Sequence, residues 1–455
     1  MADDERIRTL LRAAALGEPS SAPVDRLVAS GRRSVRRRRI AIAALTACAI
    51  AGVVVVPTVL LSHDPRPNSA SGPKTPHPVM PLATVPAYPT TGPGTAEALA
   101  HAKWTALPPA PIEWREVPAS VYTGRELLVW GGLTETGPVG DGASYDPTAR
   151  KWQLLPTAPI GARTGSATAW TGSQWFVWGG RNGSDALADG ALYDAASGTW
   201  SSLPPGPLSG RGEATAVWTG SEVLVFGGSG DIGGANPTDA AAYDPATRAW
   251  RLLGRNPAMP AYDMHQVTAV AVGPTIYVAD MWGRTVRSTD GKTVTGTTAG
   301  VVLSAYDVAS DTWAPAPGPP LAGHGVNQLI WTGREVIAPA SPGWCDACSG
   351  LAPMNEQGHR FALPAAAWDE LPHGPIDDFW PTDVWTGAAL VAPPTGGMSG
   401  ETVMPGDAAA WDPVRNSWVR LPRAPVGAMN AVAAWTGTQL LVWGGYRNNG
   451  GASLG

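Results

Sequence analysis

Along residues 103–455 apolar and small residues alternate in short runs, each closed by glycine or proline. The stretch SATAWTGSQWFVWGG (residues 166–180) shows the unit. SATAW and QWFVW are strand-like, and the TG between them makes a tight turn. The closing Gly pair allows positive φ or close backbone approach. Further on, ALYD and TWSSLP read as two more short strands around a turn. The unit is therefore four strands, a to d.

That unit recurs. The turn glycine stands at Gly124, Gly172, Gly220, Gly273, Gly333, Gly387 and Gly437, at intervals of 48, 48, 53, 60, 54 and 50 residues. An aromatic precedes a tryptophan by seven positions in Tyr145/Trp152, Tyr193/Trp200, Tyr243/Trp250, Tyr306/Trp313, Phe361/Trp368 and Trp411/Trp418. Four antiparallel strands in a period of about 50 residues predict propeller blades.

Gly131, Gly132, Tyr145 and Trp152 carry one motif; Gly179, Gly180, Tyr193 and Trp200, then Gly227, Gly228, Tyr243 and Trp250, repeat it, and Gly444 and Gly445 supply the pair again. At these residues the chain resembles the kelch-repeat β-propellers. The resemblance, over residues 103–455, implies an all-β ring, and the seven turn glycines imply seven blades. VADMWGR, IAPASPG and VAPPTGG depart from the regular strand-b ending in repeats four to six. The seventh copy ends without a strand d, while KWTALP (residues 103–108) stands alone ahead of the first. The N-terminal strand is expected to complete the last blade, removing two exposed sheet edges.

A different pattern precedes the repeats. Residues 1–39 read as a cytoplasmic segment, with Ile7, Leu10, Leu11 and Ala14 on one face of a helix that either lies on the surface or docks a partner. Six arginines between Arg32 and Arg39 flank the uncharged run Ile40–Leu61. As a helix the run is about 33 Å long, enough to span a bilayer, and the arginines hold its N-terminal end inside. This predicts one transmembrane helix with the propeller outside, and the chain then resembles a membrane-anchored bacterial type of kelch propeller. Cleavage, lipidation at Cys48 (LTAC resembles a lipobox) and a twin-arginine signal are rival readings. Residues 62–102, rich in Pro, Ser, Thr and Gly, read as an extended spacer.

Composition narrows the chemistry. The net charge of −5 gives no footprint for nucleic acid outside the arginine cluster. Cys345 and Cys348, close together in a long b–c loop, are expected to form a disulfide if they lie outside the membrane. GSGDIG (residues 228–233) and GASLG (residues 451–455) lack the helix that a phosphate loop or nucleophile elbow needs. Asp141, Asp189, Asp239 and Asp407 stand four residues before the strand-c aromatic and are expected to accept backbone N–H bonds. Asp146, Asp194, Asp244, Asp307 and Asp412 read as turn residues. Neither set is expected to bind metal.

The kelch resemblance also brings in galactose oxidase-like copper enzymes. Tyr262, His265 and His324 are near blade starts, but the cysteine placement does not assemble that site. Nine residues before each turn glycine lie Arg115, Arg163, Arg211, Met264, His324, Asp378 and Ala428. They are expected to ring the channel mouth on the face of the b–c and d–a loops. Arg115, Arg163, Arg211, His324 and Asp378 are the candidate ligand-binding residues, the arginines as a clamp for carboxylates or other anions. The expected function is binding of a protein, peptide or glycan, with no cofactor. A sugar-active propeller enzyme of epimerase, sialidase or galactose oxidase type is the alternative.

Overall fold

The computed structural model describes residues 87–445 apart from 232–236, 259–263, 288–293, 319–325, 340–357, 364–366, 377–381, 396–397, 400–401, 404–405, 426 and 428–429. These residues lie in one compact unit, Thr75–Gly455. The expected transmembrane run, its rivals and the N-terminal segment fall outside the described residues. Among the described residues no helix is long and apolar enough to cross a membrane.

The chain is an all-β propeller. Blade one is Ala119–Tyr122, Leu127–Trp130, Gly142–Asp146 and Lys151–Leu154, four antiparallel strands in sequence order. Five further four-stranded sheets follow, ending with blade six: Val384–Trp385, Leu390–Thr395, Asp407–Asp412 and Ser417–Arg420. The expectation of seven four-stranded blades is thereby corrected to six. The seventh repeat forms a two-stranded sheet, Val432–Trp435 with Leu440–Trp443, which touches blade six on one side and blade one on the other.

Register explains the sequence motif. Tyr145 pairs with Leu127 of strand b and with Trp152 of strand d, its ring centroid 4.9 Å from the indole. The aromatic thus covers the outer half of the blade, while strand b, Leu127 to Trp130, is buried throughout. The core lies between neighbouring sheets: Phe176 and Trp178 of blade two meet Val223, Val225 and Tyr243 of blade three. Asp146 turns the chain from c to d, its Oδ1 accepting from the N–H groups of Thr148 and Ala149 at 2.8 and 2.9 Å. Asp194, Asp244, Asp307 and Asp412 do the same in their blades, so the expected turn role holds.

The strand-d tryptophans stitch blade to blade. Trp250 Nε1 donates to the Pro204 carbonyl at 3.0 Å, Trp313 to Gly254 and Trp368 to Pro317 at 2.6 Å, and Trp418 to Pro372 at 2.8 Å. Trp104 Nε1 donates to Pro422 at 2.6 Å, and Trp152 Nε1 reaches Pro108 at 3.0 Å. Residues 103–108 therefore occupy the strand-d position of the seventh repeat. They form no ladder there, so the expected closing strand is corrected to an extended segment held by indole bonds. Among the described residues no strand c lies beside it to receive its backbone bonds.

The last part of the expected spacer is docked on the propeller. Residues 87–95 run past the a–b turns of blades five and six, and Thr386 Oγ1 donates to the Gly94 carbonyl at 2.6 Å. A one-turn helix, α1 (Ala96–Ala100), follows, its N–H at Ala98 capped by Thr95 Oγ1. Ala96 and Leu99 pack with Ala389, Val391 and Ala410 of blade six and with Trp435 and Leu440 of the seventh repeat. At the seam between blades one and two the comparable place holds Ala191 and Tyr193 of strand c. A helix face here does what a strand does elsewhere.

Blade four is the longest. Strand a runs Met264–Val272, strand b Thr275–Arg287 and strand c Val294–Asp307. Strand d, Thr312–Pro315, pairs only with Ser304 to Asp307. Strand c therefore continues about 30 Å past strand d on the b–c loop face, and the b–c hairpin about 13 Å past strand a, at ~3.3 Å per residue.

Candidate functional site

The three ring arginines occupy one position in blades one to three, and the geometry around them repeats. Arg115, Arg163 and Arg211 are buried, at 0%, 2% and 0% exposure. Arg163 Nε donates to the Gly161 carbonyl at 2.9 Å, and Nη1 to Gly179 and Asp189 carbonyls at 3.1 and 3.2 Å. Nη1 and Nη2 also clasp the Asp189 carboxylate at 2.7 and 3.1 Å. Arg115 clasps Asp141 in the same way, at 2.7 and 3.3 Å, whereas Arg211 reaches the Asp239 carboxylate through Nη2 alone, at 2.8 Å, and shares that nitrogen with Ser209 Oγ.

The backbone of each arginine performs a second task. Gly132 of blade one donates to the Arg163 carbonyl at 2.8 Å, Gly180 of blade two to Arg211 at 2.9 Å, and Gly445 of the seventh repeat to Arg115 at 3.0 Å. The Gly pair is required at this approach. Gly131 and Gly179 have φ of 67° and 69°. A Cβ on Gly131 would stand 2.8 Å from the Arg163 carbonyl oxygen, and one on Gly179 would stand 2.7 Å from that of Arg211. Each arginine thus binds the preceding blade through its carbonyl and its own b–c loop through its guanidinium.

This commits the guanidinium donors to acceptors within the protein. What reaches solvent is the paired carboxylate: Asp141, Asp189 and Asp239 side chains are 53%, 57% and 47% exposed. Hydrogen bonding from Arg163 holds the Asp189 carboxyl below the usual carboxylate range, against the raising effect of partial burial. The expectation that these aspartates accept backbone N–H bonds is corrected: arginine is their main partner instead, with the Asp189 backbone N–H making a lesser contribution at its own carboxylate. The fourth of the set, Asp407, faces Arg423 Nε at 3.3 Å and lies 3.9 Å from Arg420. His324, Asp378, Cys345 and Cys348 lie outside the described residues, as does Tyr262. Among the described residues no group of three His, Cys, Asp or Glu side chains is placed to hold a metal ion.

Two features of possible function have only weak sequence signals. One is the blade-four arm, marked by β-branched residues on both sides of Asp290-Gly291, a hairpin dipeptide. The other is a cleft between blades five and six on the opposite face, walled in part by Tyr88, a residue of the expected spacer.

Residues 98–283 match the family model of the KLHDC2/KLHL20/DRC7 Kelch-repeats domain. A search of curated proteins gave no match. The matched stretch begins within α1, includes the 103–108 segment and blades one to three, and ends in strand b of blade four. Over this stretch the chain is similar in sequence to kelch repeats, and its six consecutive four-stranded sheets give it the architecture of a kelch-type β-propeller.

Proposed function

We propose that this chain is a protein-binding propeller that engages its partner on the b–c and d–a loop face. One observation carries the reading. In the blade-four arm, strand c continues through residues 294–302 with strand b on one side and no ladder partner on the other, among the described residues. Unpaired N–H and C=O groups in such an edge are a template for an added strand. The docked N-terminal segment occupies the a–b turns of blades five and six, so it leaves the arm's face open.

In this reading the ring arginines fix the loops, and Asp141, Asp189 and Asp239 present the charge that a ligand meets. Those carboxylates favour a partner with basic groups near the channel mouth, the reverse of the anion clamp expected of the arginines. The reading also keeps residues 40–61 as a membrane anchor and the propeller as the extracytoplasmic part. Its support is the charge asymmetry around the apolar run.

Site-specific photo-crosslinking in cells tests it. A photoreactive residue at Thr297 should give a discrete adduct with another protein, while one at Arg125, on an a–b turn, should not. Replacing residues 284–297 by Asn-Gly should abolish capture without lowering the thermal midpoint. Equal adducts from both positions, or none from Thr297, would overturn the assignment of this face.

A further inference from the structure

The cleft between blades five and six differs from the arginine ring in how its cations are satisfied. It encloses about 420 Å³ and is lined by Tyr88, Arg334, Glu335, Arg360, Leu363 and Val414, among others. Glu335 is buried, at 6% exposure. One of its carboxylate oxygens accepts from the Tyr88 hydroxyl at 2.6 Å. The same hydroxyl lies 2.9 Å from Thr332 Oγ1, and the Tyr88 ring meets Trp385 edge-on at 5.5 Å. Tyr88 is thus held at both ends and forms a fixed wall.

Two guanidinium groups line the same cleft. That of Arg334 lies 4.9 Å from the Tyr88 ring centroid, and that of Arg360 lies 6.0 Å from the Trp411 ring. Nε of Arg360 is 3.9 Å from the second Glu335 oxygen, beyond hydrogen-bonding distance. Among the described residues neither guanidinium has a hydrogen-bonded acceptor. The contrast with Arg115, Arg163 and Arg211 is direct: those bury their donors against carbonyls and carboxylates. Arg360 is itself largely buried, at 25% side-chain exposure. A guanidinium carries five N–H donors, and those of Arg334 and Arg360 open onto the cleft, none of their nitrogens being buried without a partner. The aromatic rings near both groups attract them without using any of those donors.

We propose that this cleft is an anion site, in which Arg334 and Arg360 together hold a carboxylate or phosphate group against the Tyr88 wall. Planar forks match both oxoanions. Glu335 sits behind Arg360, with one oxygen taken by Tyr88, and sets the local charge at one net positive from these three ionic groups. The chain as a whole is negative, at −5, so general attraction of anions is not expected. Because residues 87–90 form one wall, the site exists only when the N-terminal segment is docked, and a bound anion fastens that segment to blades five and six.

The test uses the full chain in detergent, with inorganic phosphate and malonate as probes and chloride at matched ionic strength as the control. Binding of a folded-state ligand raises the unfolding midpoint in a saturable way. The expected result is saturation with phosphate or malonate and none with chloride. Phosphate alone marks a phosphate site, and malonate alone a carboxylate site. Arg360→Gln and Arg334→Gln should each weaken binding at least tenfold, while Arg125→Gln leaves it unchanged. Should Arg360→Gln fail to fold, Arg334→Gln gives the answer. A second readout separates a site from general stabilisation: the saturating anion should slow proteolytic cleavage near Tyr88 and not in the blade-four arm. Response to chloride equal to that of phosphate and malonate, or saturation unaffected by both substitutions, would overturn the proposal.

Discussion

The indole of Trp104 donates to the carbonyl of Pro422 at 2.6 Å, across 318 positions of sequence. This is the bond that Trp418 makes to Pro372 and Trp250 makes to Pro204, one blade back in each case. The N-terminal segment therefore stands in for the outer strands of the seventh repeat with a few side-chain contacts and little regular backbone. Trp104→Phe should cost about 1 kcal/mol, the net worth of one hydrogen bond, and Trp104→Ala about 3 kcal/mol as packing is lost as well. Denaturant midpoints of the two variants would separate the contributions, and a Trp104→Phe midpoint equal to the parent's would show that the bond contributes nothing.

The Arg163–Asp189 pair is asymmetric in exposure, and its two halves should respond differently. Arg163→Ala leaves loop carbonyls unmet in the interior and should cost about 3–5 kcal/mol, as for breaking a buried ion pair. Asp189→Asn keeps an acceptor at the surface and should cost about 1 kcal/mol. Urea titration of both variants checks the ordering, and a larger loss from Asp189→Asn would reverse it.

Glycines with positive φ divide into two kinds. Gly179 has no room for a Cβ, whereas Gly172, at φ 95°, faces open space. Gly172→Ala should cost only the conformational penalty of about 1–2 kcal/mol. Gly179→Ala adds a collision with the Arg211 carbonyl and should also loosen the contact between blades two and three. Hydrogen exchange at the Gly180 amide, which donates to that carbonyl, would report the difference.

Stability should fall in acid. Backbone N–H bonds hold the carboxyls of Asp146, Asp194 and Asp307 below their usual range. Asp412 is also lowered, by bonds from Arg415 and Val414 that outweigh the raising effect of burial. A folded pKa below the unfolded value of about 3.9 gives a stabilisation complete above that pH and lost as pH falls through the folded value. The midpoint of urea unfolding should be nearly level from pH 7 to about 5 and drop steeply below about pH 4. A flat profile down to pH 2 would remove these turns from the stability of the protein.

Much of this architecture was legible in the sequence because each blade repeats the same local solution. Gly pairs, turn aspartates and the Tyr/Trp spacing each follow from one geometric need, met many times over. The arginine ring could be placed by counting, but not its partners: that Arg163 meets Asp189 depends on loop paths folding back over 26 residues. The blade count failed because the seventh repeat substitutes other chain for its outer strands. Ala96 and Leu99 sit in a segment whose prolines and glycines read as spacer, and the cap of α1 at Thr95 is the one local signal of order there. The cleft of Arg334 and Arg360 had only a weak signal, since it is assembled from four separate segments, none of them a motif.

The order of attachments along the N-terminal segment has a mechanical consequence. Tension applied at residue 87 meets Tyr88 and its hydrogen bonds to blade five first, then Gly94 and α1 on blade six, and Trp104 only after these have detached. The contacts are loaded in series, each shielding the next. The ring's closing seam is thus the last to feel a pull from that side, and the strap in front of it serves as strain relief, lengthening stepwise while the blades remain joined.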